Sequence, residues 1–195
     1  MNIEQHYEKH CVCIGGPGGN SDIFEHMPVL KRYTEECDHV TEMGVRWVIS
    51  TWAFLAGKPK TLISYDLEYP EYHGGNLKEV EDATSDTDIN FKFIKADVLK
   101  IKIEPTDLLF IDTFHCYNQL TQELDLHASS AKKYIIFHDT TTFAVDGEPA
   151  GDGQPTQKGE GIWPAIQEFL DKNPTEWVLH ERLTNNNGLT IIKRL

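Results

Sequence analysis

No stretch of this chain approaches the ~20 consecutive apolar residues of a membrane span. Its start, Met1-Asn-Ile-Glu-Gln-His6, has neither the basic region nor the apolar core of a secretory signal, so a cytoplasmic protein is the expectation. Basic residues are scarce: 18 Lys and Arg stand against 31 Asp and Glu, a net charge of −13. That balance argues against a nucleic-acid backbone or an anionic membrane as partner and leaves a small molecule. The four cysteines, Cys11, Cys13, Cys37 and Cys116, form no recognisable disulfide framework and read as reduced thiols. His6 and His10 flank the first pair, but their spacing matches no common zinc pattern, and the segment reads as an N-terminal strand. The glycine-rich Gly15-Gly-Pro-Gly-Gly-Asn20 lacks the Gly-Lys-Ser/Thr ending of a phosphate loop and reads as a turn leading into a helix. No internal repeat is visible, and nothing sets an oligomeric state. At 195 residues, one domain is expected, numbered 1–195.

What the chain does have is five short apolar runs that each stop on a carboxylate. They are His39 to Glu42, Thr61 to Asp66, Phe93 to Asp97, Leu108 to Asp112 and Tyr134 to His138-Asp139. Short runs rich in β-branched and aromatic residues, separated by helix-length stretches, read as parallel strands of an α/β sheet. Ligands of such sheets bind in the crevice outside the strand C-termini, so a row of acids there describes a binding site.

Between the strands the pattern predicts helices. One begins near Met27-Pro28, within an N-terminal segment spanning 1–38, with Leu30, Tyr33 and Cys37 on one face. Another covers Ser50 to Ala56 with Gly57 as C-cap and Pro59 beyond. Further helices are expected over Asn76 to Thr84, from Tyr117 with Leu120 and Leu124 inward, and from Ile162 through Ile166, Phe169 and Leu170. The third strand alternates as Ile89, Phe91 and Phe93. The segment 144–161 has the length and composition of a lid over the strand-five acids. Two last strands, Trp177 to Arg182 and Leu189 to Lys193, flank Asn185-Asn-Asn-Gly188, a hairpin turn. The fold class is therefore α/β, Rossmann-like and doubly wound, with a mostly parallel sheet of about seven strands and a C-terminal antiparallel β-hairpin.

Asp66 follows Gly44 by 22 residues, near the ~20-residue offset at which an acid reaches a ribose hydroxyl. Yet the turn Gly44-Val-Arg-Trp-Val-Ile-Ser50 has one glycine, so the pyrophosphate cradle of a dinucleotide is missing. Glu42 adds negative charge there, unwelcome to a diphosphate but useful near an ammonium. S-adenosylmethionine fits: it has an adenine, a ribose and a zwitterionic amino acid with a sulfonium, and no phosphate. Asp97 is placed to accept from the adenine amino group.

Glu42-x-Gly44-x-x-x-Val48-x-Ser50, Ser64-Tyr-Asp66, Phe110-Ile-Asp112-x-x-His115 and Phe137-His-Asp139 resemble class I S-adenosylmethionine-dependent methyltransferases. More narrowly, they resemble the branch containing cephalosporin-hydroxylase-like and macrocin or rhamnosyl O-methyltransferase-like proteins. Gly161-Ile-Trp-Pro-Ala-Ile and Asn187-Gly-Leu-Thr-Ile-Ile extend the resemblance, which runs from about His26 to the C-terminus. It implies that Glu42, Gly44, Ser50, Asp66 and Asp97 surround the cofactor. Val48 departs from the pattern: it stands where the family has its second glycine, which sets a β-branched side chain near the expected methionine moiety.

On the other side of the crevice, Asp112 closes the fourth run, and His138 with Asp139 closes the fifth. If those strands are neighbours, three ligands converge, and two carboxylates suit a hard divalent ion such as magnesium. The resemblance implies a divalent metal at the same positions, magnesium or manganese, with the imidazole favouring manganese, iron or zinc. Such an ion would chelate adjacent hydroxyls of a small-molecule acceptor, a sugar among the candidates. Asp112 and His115 are the expected catalytic pair, His115 as general base. His138 is equally open to roles as ligand, base or orienting group. His73, His127 and His180 have no such context and read as surface residues. Thr140, Thr141 and Thr142 place hydroxyls at the rim, or simply cap a turn.

Two other readings fit the same residues. His115, His138 and one aspartate make a two-histidine, one-carboxylate set for non-haem iron. A module that keeps the fold and binds without catalysing is the other.

Overall fold

A computed structural model describes residues 1–12, 21–149 and 160–195. Cys13, the Gly15–Asn20 turn and the centre of the expected lid lie outside the described residues. Seven strands make one sheet: β1 (His39–Met43), β2 (Thr61–Asp66), β3 (Asn90–Lys95), β4 (Thr106–Ile111), β5 (Ala131–His138), β6 (Trp177–Leu183) and β7 (Leu189–Arg194). Their order is β3-β2-β1-β4-β5-β7-β6. β1 to β5 run parallel, while β7 is antiparallel to both β5 and β6. The six α-helices among the described residues are α1 (Ile3–Cys11), α2 (Met27–Thr34), α3 (Ile49–Ala56), α4 (Leu77–Thr84), α5 (Tyr117–His127) and α6 (Ile162–Lys172). None is long and apolar enough to cross a membrane. The α/β, doubly wound architecture expected from the sequence is the one observed.

Period-two alternation assigns each central strand residue to one of two cores. Leu108 and Phe110 of β4, with Tyr134 and Ile136 of β5, pack under α2 and α3. Leu109 and Ile111, with Ile135 and Phe137, pack under α5 and α6. Both faces are covered, which is why these strands read as continuous apolar runs. The edge strand β3 keeps the half-buried alternation of Phe91 and Phe93.

Three local expectations are corrected. The N-terminal segment is helix α1, not a strand: Asn2 and Gln5 form a reciprocal capping box, and His6 is buried by stacking on Trp52 at 4.0 Å. His127 is buried rather than exposed, its Nε2 bonded to the Val98 carbonyl at 2.8 Å. Gly57 stands at the C-cap as expected, but Lys58 takes the left-handed turn, with φ 59°. Gly57 is needed for space, since a β carbon there would lie 2.5 Å from Thr34 Cβ where α2 crosses α3.

Glu42 is the most consequential buried polar residue. It sits in β1 on the α3 face, wholly inaccessible. Its Oε1 accepts from Ser50 Oγ at 2.6 Å, and its Oε2 accepts from Ser64 Oγ at 2.6 Å and Thr51 Oγ1 at 2.9 Å. Burial pushes the carboxyl up to about 7 against the opposing pull of these three hydroxyls. The folded chain therefore holds a proton there over a range, from the ordinary 4.5 to about 7, in which the unfolded chain has released it. Linkage then makes stability fall as pH rises through that range. Replacing Glu42 by Gln should shrink the loss of unfolding free energy between pH 5 and pH 8 by on the order of 2–3 kcal/mol relative to wild type. Urea unfolding at the two pH values checks this, and an unchanged difference would show that Glu42 stays ionised in the fold.

Candidate active site

The sheet order reverses between β1 and β4, and a crevice opens at that switch point. Gly44 leaves β1 with φ +86°, and a β carbon on it would lie 1.9 Å from the Asp112 carbonyl oxygen. Only glycine lets the two strand exits approach this closely. Next door, the parallel register pairs Ile111 with Phe137, so Asp112 and His138 emerge side by side one residue later. A cavity of about 690 Å³ occupies the crevice.

Of the residues expected around the cofactor, Gly44, Ser50, Asp66 and Asp97 line this cavity, as do Asp112, His115 and Asp139. Glu42 does not; it lies beneath the floor and holds Ser50 in place. Asp66 fastens the turn after β1: its Oδ2 accepts from the Val45 and Arg46 amides at 2.8 and 3.1 Å, and its Oδ1 from the Glu68 amide at 3.0 Å. Asp97 caps a short turn through the Leu99 amide and pairs with Lys100 at 2.8 Å. Val48 corrects an expectation. It adopts φ 60°, ψ 22°, a left-handed conformation that favours glycine, at a cost of about 1–3 kcal/mol for a β-branched residue. Its side chain is buried in the core under the sheet and is not part of the cavity wall.

Around the exits of β4 and β5, two imidazoles meet three carboxylates. His115 Nε2 lies 3.1 Å from both Asp112 Oδ1 and Asp139 Oδ2, and its Nδ1 lies 2.9 Å from Glu148 Oε2. The ring stacks on Phe143 at 5.0 Å. His138 Nδ1 faces Asp112 Oδ1 at 3.3 Å and Asp139 Oδ2 at 3.7 Å. Its Nε2 faces two carbonyls, of Asp22 at 3.1 Å and of Asn186 at 3.3 Å. Carbonyls only accept, so Nε2 carries a proton and Nδ1 is turned to the acids.

Ionisation follows from this crowding. Burial raises the Asp112 carboxyl, but His138 and His115 outweigh it and hold the group below the usual range. Asp139 goes the other way, raised by burial and by the neighbouring Asp112 and Asp22 charges despite the two imidazoles. Burial opposes the charged form of both histidines and loses: contacts with Asp112, Glu148 and Asp139 lift His115 to about 10, and Asp112 and Asp139 lift His138 to about 9.

The arrangement fits a divalent cation. Ligand atoms of Asp112, His138 and Asp139 lie within 4.8 Å of one another. Asp139 Oδ1 is buried without a hydrogen-bond partner among the described residues, on a residue held at φ 59°. A His whose second nitrogen donates to backbone carbonyls is oriented as metal-bound histidines are.

Two contributors were not legible in the sequence. Glu148 lies in the loop after β5; it receives the His115 amide and ring, and gives its own amide to the His115 carbonyl at 2.8 Å. Asp22 belongs to the N-terminal segment. Neither sits in a periodic element, so spacing carried no signal for them. The ends of the expected lid meet at the bridge Asp146–Glu160, while residues 150–159 lie outside the described residues.

No protein-family model and no curated protein sequence matches the chain. Solved structures do. A candidate caffeoyl-CoA O-methyltransferase from Staphylococcus aureus superposes with a TM-score of 0.64 at 12% identity, over 100% of this chain and 93% of that one. An O-methyltransferase from Bacillus cereus in complex with SAH gives 0.56 at 13% identity, over 99% and 90%. The SAH-bound methyltransferase PaMTH1 from Podospora anserina gives 0.58 at 13% identity, over 99% and 87%. At these identities the likeness is one of fold: the chain has the Rossmann-like architecture on which those methyltransferases are built.

Proposed function

We propose that the protein is an S-adenosylmethionine-dependent O-methyltransferase, assisted by a divalent metal and acting on a hydroxylated small molecule, a sugar among the candidates. The observation that carries this reading is that a ribose-type acid, Asp66, lines the same cavity as Asp112 and Asp139, two members of the cation-type cluster that His138 completes from behind the wall. SAH-bound neighbours of the same fold support the cofactor. The quoted motifs support the narrower branch of cephalosporin-hydroxylase-like and macrocin or rhamnosyl O-methyltransferase-like proteins.

In this reading Gly44, Ser50, Asp66 and Asp97 receive the cofactor, and the cofactor supplies a methyl group on a sulfonium. Asp112, His138 and Asp139 would hold the cation, which supplies Lewis acidity toward a hydroxyl. His115 accepts the acceptor's proton at Nε2, with Glu148 fixing the ring through Nδ1. His115 can do so near neutrality only where the charge on Asp112 and Asp139 is compensated, because bare carboxylates keep it protonated to about 10. The base and the cation-type cluster thus belong to one device.

One observation favours a second reading. His115 Nε2 and His138 Nδ1 approach the same Asp112 oxygen, at 3.1 and 3.3 Å, which brings together the residue types of a two-histidine, one-carboxylate iron site. Turnover that needs Fe(II) and 2-oxoglutarate, without release of S-adenosylhomocysteine, would select it.

Asp66→Ala should weaken S-adenosylhomocysteine binding more than about tenfold by calorimetry, since it removes both a ribose acceptor and the tie that shapes the turn. Unchanged affinity would take Asp66 out of the site. Chelation with EDTA should abolish methyl transfer, and Mg²⁺ or Mn²⁺ should restore it. Asp112→Asn should lose Mn²⁺ binding while keeping most cofactor affinity. Full turnover by the chelated protein would refute the metal role and leave His115 as a direct base.

A further inference from the structure

The cavity wall is strongly unbalanced in charge. Asp22, Asp66, Asp97, Asp112, Asp139 and Glu148 all line it, whereas Arg46 is the one Lys or Arg among the described lining residues. Two of these acids are already answered: Asp66 by three backbone amides and Asp97 by an amide and Lys100. Asp112, Asp139 and Glu148 share His115, and the first two also share His138. Arg46 lies 4.1 Å over the Trp47 ring, so its guanidinium is partly committed.

Asp22 differs from the rest. It is half-buried in the wall, and among the described residues its carboxylate makes no hydrogen bond or ion pair. Its backbone carbonyl holds His138 Nε2 at 3.1 Å, and its charge acts on both His138 and Asp139, so it belongs to the cation-type side of the cavity. A carboxylate there with no hydrogen-bonding partner among the described residues repels an anionic group and attracts a cationic one. The chain's net charge of −13 adds the same sign at long range.

We propose that the acceptor carries no negative charge near its reacting hydroxyl, and that Asp22 is the specificity-determining residue that enforces this. A neutral polyol, phenol or amine-bearing diol fits; a carboxylated or phosphorylated acceptor does not. This rests on the methyl-transfer reading for the placing of an acceptor in the crevice.

The test uses three ortho-diols that differ chiefly in charge: catechol, dopamine and 3,4-dihydroxybenzoate. Each is titrated by calorimetry into the protein with S-adenosylhomocysteine and Mg²⁺ at pH 7. Catechol and dopamine should bind at least about tenfold tighter than dihydroxybenzoate, and the gap should narrow as salt is raised. Asp22→Asn should bring the Kd of dihydroxybenzoate to within about threefold of that of catechol measured on the same variant. Dihydroxybenzoate binding wild type as tightly as catechol, a ratio untouched by salt or by Asp22→Asn, or no binding by any diol would overturn the proposal. S-adenosylhomocysteine is titrated separately. If it binds and the charge order fails, the inference alone falls; if it does not bind, the methyl-transfer reading falls and takes the inference with it.

Discussion

The contact between Gly44 and the Asp112 carbonyl is the constraint on which the rest of the structure depends. The strand order reverses between β1 and β4, and at that point their exits lie against each other with no side chain between them. With the β carbon absent, the Asp112 amide closes on the Met43 carbonyl at 2.8 Å and the Gly44 amide on the Tyr65 carbonyl at 2.9 Å. The exits of β2, β1 and β4 are thereby stitched in sequence. Asp66 extends the stitch by holding the turn after Gly44. A cofactor-type end and a chemistry-type end are thus set on one rigid frame, which is how open parallel sheets convert strand order into a site.

Charge is the second organising force. Three carboxylates within reach of two imidazoles cannot share one ionisation state, so the pair Asp112 and Asp139 is driven apart while both histidines are driven up. Such a cluster costs stability unless each charge is answered. The fold answers most of them with rigid partners: Glu148 for His115, and the Asp22 and Asn186 carbonyls for His138. The buried Asp139 oxygen that has no partner among the described residues is what those partners leave over.

The C-terminal hairpin serves this cluster as much as it serves the sheet. Its turn carries positive φ at Asn186, Asn187 and Gly188, which aims consecutive carbonyls inward. Asn185 and Asn186 take His26, Asn186 takes His138, and Asn187 takes the amides of Thr141 and Thr142. The turn therefore pins the N-terminal segment and the exit of β5 together. Thr140 is drawn in too, buried with its Oγ1 accepting from Thr190 at 2.9 Å, while Thr141 and Thr142 stay exposed at the rim.

The sequence by itself determined what is local and periodic. Apolar runs ending in acids marked β1, β2, β4 and β5, because a strand buried on both faces must be apolar throughout. Helical spacing marked α2, α5 and α6, and Asn185 to Gly188 marked a hairpin, because few other residues tolerate its backbone. Asp66, Asp97, Asp112 and Asp139 could be named in advance because strand ends are visible in one dimension. Only the tertiary structure decided which acids face the cavity and which are sealed. Glu42 reads like Asp66 in the chain, yet α3 and β2 close three hydroxyls over it. Val48 reads as an obstruction, yet the turn rotates it into the core. Asp22 and Glu148 carry no local signal, and they reach the site because the N-terminal segment and the loop after β5 return to the same strand ends. That return is a property of strand order, and strand order is set by how two cores pack across a sheet, which no short stretch of sequence contains.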